Sequence, residues 1–345
     1  MGGDGSVFLV GIARLLGEGY ECGSQRRETA EFVAARLLPS GKVSTVPQDE
    51  LEWCAERVEE AVVLPNGHVA VGGSIAGAAE SEGSADRGFI AARLRGTGEL
   101  LEIANATSPT TRIAGWLLDR EPPLGAEAPE VRGLAELPGG RVAIGKYQAG
   151  FPNYTLHIVG SHGRQVRKTQ ARTRTEAVVL GVEANRHGIY VLTEEFPVSE
   201  AADYRYGLYR HRLDGSLAGR ALVDPGRSRF EVATDFALQA DGGVVVVGEL
   251  DRGRNRLLFA VRRGPSGMVD RTWGTDGTTL LPLNRLRADD NLYTDSRAAV
   301  GILPNGKVLV AGSVRGRPAK VFRLDAKGRL DEAFGEAGSV TLEPL

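Results

Sequence analysis

Ile302-Leu303-Pro304-Asn305-Gly306-Lys307-Val308-Leu309-Val310-Ala311-Gly312 reads as an apolar run, a glycine turn and a second apolar run. Asn-Gly supplies the positive φ angles that a tight β-hairpin requires. The flanking residues are aliphatic and β-branched, and the runs are too short for helices. The same pattern stands as Val63-Leu64-Pro65-Asn66-Gly67-His68-Val69-Ala70-Val71-Gly72-Gly73. It recurs as Leu137-Pro138-Gly139-Gly140 ahead of Val142–Ile144, and as Leu238-Gln239-Ala240-Asp241-Gly242 ahead of Val244–Val247. A looser copy, Asn185-Arg186-His187-Gly188, precedes Ile189-Tyr190-Val191-Leu192. Recurrence at roughly 50–70 residues marks a repeat architecture.

Each copy continues into a second alternating run that ends in its own glycine turn. Phe32-Val33-Ala34-Ala35-Arg36-Leu37-Leu38-Pro39-Ser40-Gly41 and Tyr206-Gly207-Leu208-Tyr209-Arg210-His211-Arg212-Leu213-Asp214-Gly215 are examples. The unit is therefore four strands, a to d, with hairpins a–b and c–d. Six such units predict an all-β chain closed as a six-bladed β-propeller, because radial stacking buries both faces of each blade. An open β-solenoid is the rival, but its coils are shorter and lack two hairpins per unit. The expected blades are residues 1–50, 51–107, 129–172, 173–228, 229–284 and 292–345, in a single domain. The first unit lacks strand a, so it is read as a three-stranded blade or as a chain whose start lies upstream of Met1. Mass spectrometry of the native N-terminus separates these two.

Two units share a further signature. Met268-Val269-Asp270-Arg271-Thr272-Trp273-Gly274-Thr275-Asp276-Gly277 matches Arg329-Leu330-Asp331-Glu332-Ala333-Phe334-Gly335-Glu336-Ala337-Gly338. Together with the Leu-Pro-Asn-Gly sentence, this resembles the bacterial delta-60 repeat propellers. The resemblance is strong in the last two units, fair in the first two and weak over 171–225. It implies the propeller fold and a secreted or cell-surface setting. It implies no catalytic residue.

Composition narrows the function classes. The net charge of -2 argues against a nucleic-acid surface, since phosphate neutralisation needs a basic excess. No apolar run is long enough for a transmembrane helix, and the N-terminal residues do not read as a signal peptide. The five histidines are dispersed, with no HExxH. Gly72-Gly73-Ser74-Ile75-Ala76 lacks the last glycine of a nucleophile elbow.

Strand order assigns the loops. Turns a–b and c–d share one tight face. Loops b–c and d–a share the other, and include 14–29, 75–87, 104–128, 146–152, 194–204 and 281–293. Function gathers in variable loops on a rigid scaffold. Cys22 and Cys54 both belong to that face, so a disulfide is allowed; two free thiols are the alternative. A carboxylate recurs near the start of strand a: Glu56, Glu130, Glu176, Glu231 and Asp295. Such acids could ring the mouth of a central channel and hold a cation such as calcium. They could equally be solvated strand ends or partners of neighbouring arginines, and no cofactor is otherwise expected. Tyr147 and Phe151 are candidate loop aromatics, and Arg252, Arg254 and Arg315 a candidate grip for an anion.

The expectation is a monomeric, non-enzymatic binding module for a protein or a glycan, working through the loop-rich face. The alternatives are a hydrolase or lyase at the channel mouth, with Glu56, Glu231 or Asp295 as acid or base, and a structural part of a larger surface assembly.

Overall fold

The computed structural model describes residues 7–14, 21–22, 25–26, 30–37, 40, 42–46, 54–64, 69–76, 87–94, 100–104, 130–147, 150–160, 165–196, 204–224, 231–285, 297–314 and 317–342. These residues form antiparallel β-sheets and no helix. No helix is therefore long and apolar enough to cross a membrane among the described residues.

The hairpin sentence becomes strands a and b throughout. The second sheet is Cys54–Val63, Val69–Ala76, Arg87–Leu94 and Leu100–Ala104. The third is Glu130–Leu137, Arg141–Tyr147, Asn153–Val159 and Gln165–Arg172. The fourth is Ala177–Asn185, Gly188–Glu195, Arg205–His211 and Leu217–Val223. The fifth is Glu231–Leu238, Val244–Arg252, Asn255–Arg263 and Thr278–Arg285. The sixth is Arg297–Ile302, Val308–Ser313, Ala319–Leu324 and Ser339–Leu342. Each of these is four-stranded, with its strands in chain order. The first sheet has three strands among the described residues, Val7–Arg14, Ala30–Leu37 and Val43–Val46.

The chain divides into two compact units, Met1–Ala184 with Leu213–Ser216, and Asn185–Arg212 with Leu217–Leu345. In the first, Leu64 and Ala70 of the second sheet pack with Val131, Leu134, Val142, Ile144 and Val159 of the third. Gly72, inside the hairpin sentence, permits this approach: a Cβ there would meet Val131 Cγ1 at 2.8 Å and Leu134 Cδ1 at 2.9 Å. In the second unit, Val245, Val247, Leu258, Ala260, Trp273, Leu281 and Leu283 of the fifth sheet pack with Ala298, Val308, Val310, Val314, Phe322 and Leu324 of the sixth. Each fully buried aliphatic side chain contributes about 1.5–3 kcal/mol relative to exposure, so these inter-sheet layers are the main favourable term.

Two expectations about loops need correction. In the fifth and sixth sheets c–d is not a tight hairpin: it runs over 264–277 and 325–338, because the shared signature forms its own turns there. The b–c connection of the fifth sheet is the tight one, with Gly253-Arg254 alone joining Val244–Arg252 to Asn255–Arg263. Its arginines are therefore not on a long loop.

Candidate functional site

Glu130 and Glu231 are the first residues of their strands a, opposite Tyr147 and Leu250 of strand b. Glu176 immediately precedes its strand a, at Ala177–Asn185. Its Oε1 accepts a 2.7 Å hydrogen bond from Gly150 N–H, so this acid pins the b–c turn of the third sheet. Glu56 lies in strand a of the second sheet at a register shift between Ala55 and Arg57. The side chains of Glu56, Glu130, Cys22 and Cys54 lie outside the described residues, as do Asp295 and Arg315 altogether. Among the described residues no three His, Cys, Asp or Glu side chains gather as a metal-binding group.

Around Glu231 a polar constellation assembles. The Tyr206 hydroxyl, on strand c of the fourth sheet, donates to Glu194 Oε1 at 2.9 Å, with the Glu231 carbonyl 3.2 Å away. Burial raises the Glu194 carboxyl above its ordinary pKa, and the Tyr206 bond partly offsets this. Glu194 is the penultimate residue of strand b, so alternation sends Glu195, its last, to the other face of the sheet. There Arg220 Nη2 donates to both Glu195 oxygens, at 2.7 and 2.6 Å, and the Tyr209 hydroxyl donates to Oε1 at 2.9 Å. The Arg220 guanidinium also lies 5.3 Å from the Tyr209 ring centroid. Asp235, inside strand a of the fifth sheet, is likewise raised by burial. It accepts from Val300 N–H of the sixth sheet and from Phe236 N–H, both at 2.8 Å. Glu195 and Asp235 thus hold strands together.

Tyr147 is not a loop aromatic: it ends strand b, which is buried at every position from Val142 onward. Phe151 is exposed, in the b–c turn that Glu176 pins. Arg252 and Arg254 are exposed, while Arg256 between their strands is fully buried against Asp251 at 2.8 Å.

A second place in the second unit is concave. An open groove of about 1060 Å³ is lined by Asp224, residues 250–253, Val269, Arg271, residues 274–276, residues 278–280 and residues 328–330. It brings Arg252 together with Arg271 and Arg329 of the repeated signature, but not Arg254. Its apolar surface is aliphatic, with Val269, Leu280 and Leu330 each 37% exposed. Its acids have arginine neighbours. Asp251 faces Arg256 at 2.8 Å, Asp276 lies 3.7 Å from Arg271, and Asp224 acts electrostatically on Arg263. Arg252 and Arg329 make no ion pair among the described residues. Sequence reasoning does not single out Arg271 and Arg329, because it expects tight c–d turns at Gly267 and Gly328 with strand d directly after them. The spacing of Arg262, Asp270 and Gly277 was the signal that a longer connection is folded there.

No protein-family model matches the chain, and no curated protein matches it in sequence. Solved structures show distant likeness. A protein from Lactobacillus plantarum is 9% identical, with 97% of this chain and 81% of that one covered and a TM-score of 0.45. The lignostilbene dioxygenase of Pseudomonas brassicacearum is 9% identical, with 91% and 70% covered and a TM-score of 0.45. A glycosyl hydrolase from Bacteroides ovatus is 10% identical, with 99% and 84% covered and a TM-score of 0.40.

Proposed function

We propose that the protein is a non-enzymatic binding module, a six-bladed β-propeller that recognises a protein or a glycan at a secreted or cell-surface location. The observation that carries this reading is the open groove, where Arg252 and Arg329, without ion pairs among the described residues, stand beside exposed aliphatic side chains. A recognition surface needs that mixture of apolar area and oriented charge. The long b–c and d–a loops are the other part of the proposed surface. Paired glycan and peptide arrays, with a product assay on each hit, test it. Binding without turnover is expected; conversion of any bound ligand overturns it.

A second reading, a hydrolase or lyase, is favoured by one observation. Glu194 is a carboxyl raised by burial that accepts from the Tyr206 hydroxyl, near the backbone carbonyl of Glu231, and a carboxyl kept protonated in this way can serve as a general acid. On that reading Glu194→Gln abolishes turnover while leaving ligand affinity within about twofold. Binding that survives the combined change Glu56→Ala, Glu231→Ala and Asp295→Ala counts against any site at the strand a ends.

A further inference from the structure

We propose that the groove takes an extended acidic peptide, laid against the outer strand Thr278–Arg285 of the fifth sheet; this rests on the binding-module reading. Among the described residues that strand is at the edge of its sheet, paired with Asn255–Arg263 alone. An edge strand offers alternate N–H and C=O groups outward. Thr278 N–H donates to Thr275 O at 3.1 Å, and Thr275 N–H to Thr278 O at 2.8 Å, so Thr278 faces outward. Antiparallel alternation turns the groups of Leu280 the same way, into the groove that Leu280 lines. Pro282, the next outward position, has no N–H, so pairing stops there. Thr275 takes the outward groups of Thr278, so the backbone anchor is the N–H and C=O of Leu280, a single strand-addition pair, and side-chain contacts carry the rest of the peptide.

Charge selects the peptide. The groove's acids have arginine partners, and the excess lies on Arg252 and Arg329. Arginine forks bind carboxylates in two-point geometry. Exposed Val269, Leu280 and Leu330 lie among these cations, which suits alternating acidic and aliphatic side chains. None of the residues that line the groove is aromatic, so a sugar ring would find no flat surface to stack on.

Fluorescence anisotropy with the full chain tests this, using an alternating Glu-Val peptide, its Lys-Val counterpart, and polygalacturonate as competitor. The Glu-Val peptide should bind, the Lys-Val peptide should not, and added salt should weaken binding. The double variant Arg252→Glu and Arg329→Glu should weaken it about tenfold. Both positions are exposed, and an unchanged thermal transition shows that the variant is folded. No binding, equal binding of both peptides, or an unaffected double variant overturns the peptide assignment. Preference for polygalacturonate overturns it in favour of a glycan and leaves the binding module standing. Cleavage of the peptide overturns the binding module itself.

Discussion

The fourth and fifth sheets share strand order and hairpin chemistry, and differ in how strand c reaches strand d. In the fourth, residues 212–216 suffice. Asp214 Oδ1 accepts from Ser216 N–H at 2.8 Å and from its hydroxyl at 2.6 Å, and the turn is complete. In the fifth, residues 264–277 intervene. The same local lock is present, since Asp270 Oδ1 accepts from the Thr272 hydroxyl at 2.6 Å and its N–H at 3.1 Å. The added length then reaches the neighbouring sheet. Gly274 N–H donates to Lys327 O at 2.7 Å, the Thr279 hydroxyl donates to Gly328 O at 2.5 Å, and Trp273 is 1% exposed with its indole against Gly328. The outer strands register the difference. Leu217 and Leu222 of the fourth sheet are exposed, whereas Leu281 and Leu283 of the fifth lie in the core shared with the sixth. The signature is thus a clasp between consecutive repeats.

The sharpest way to break that account is to empty the clasp. Trp273→Ala should cost about 3–5 kcal/mol in urea unfolding followed by circular dichroism. Leu217→Ala, at the exposed outer strand of the fourth sheet, should stay within about 0.5 kcal/mol. Gly328→Ala approaches the same contact from the other side. Its φ is +74°, and a Cβ there would run into the Trp273 indole, so a loss of about 1–3 kcal/mol is expected. Equal costs for Trp273→Ala and Leu217→Ala would show that the long link adds nothing.

A second contrast is electrostatic. Arg262 ties the link down: it donates to Gln239 Oε1 at 2.5 Å and pairs with both Asp241 and Asp270. Asp270 is held below its ordinary pKa, first by the Thr272 hydroxyl and further by its N–H and Arg262. Burial pushes Asp241 up, but Gly243 N–H and Arg262 more than offset it. Depressed carboxyls contribute stability that is present above the unfolded pKa of about 3.9 and lost as pH falls through the folded value. Arg262→Ala should cost about 2 kcal/mol at neutral pH, since Asp241 is largely exposed and screened. It should also flatten the acid limb of the stability profile. A cost that does not shrink on acidification would assign the loss to packing.

Much of this was legible in the sequence, and the reasons for what was not are specific. The Asn-Gly and Asp-Gly hairpins placed strands a and b, because those turns demand φ angles few other residues adopt. Gly72 was visible as part of the repeated sentence, yet its reason, contact with Val131 and Leu134, is tertiary. The c–d links of the fifth and sixth sheets are longer than the sequence suggests, because Gly267 and Gly328 each look like the end of a tight hairpin. Only the pairing of Arg262 with Asp270, and of Arg323 with Asp331 at 2.7 Å, shows which residues fold within the links. The groove is lined in part by these links. Arg252 was picked out by its run of arginines, but Arg271 and Arg329 come from the signature, and no local pattern relates the three.

The smallest effect contrasts the same two sheets through their acids. Glu194 in the fourth sheet is raised by burial, opposite in sign to Asp241 and Asp270 in the fifth. A raised carboxyl leaves the folded state holding more protons than the unfolded one, so stability falls as pH rises from the unfolded value, about 4.3, through the folded one. Glu194→Gln keeps an oxygen for the Tyr206 hydroxyl and removes the titration. The variant should therefore match the parent at low pH, before the carboxyl ionises. It should gain up to about 1 kcal/mol near neutrality, the scale expected of a partly buried carboxyl after solvent screening. Titrating both proteins by chemical denaturation from pH 3 to 7 reads the difference. A variant that is less stable at neutral pH would mean that the ionised Glu194 has a stabilising partner, and the buried acids of the fourth sheet would then resemble those of the fifth.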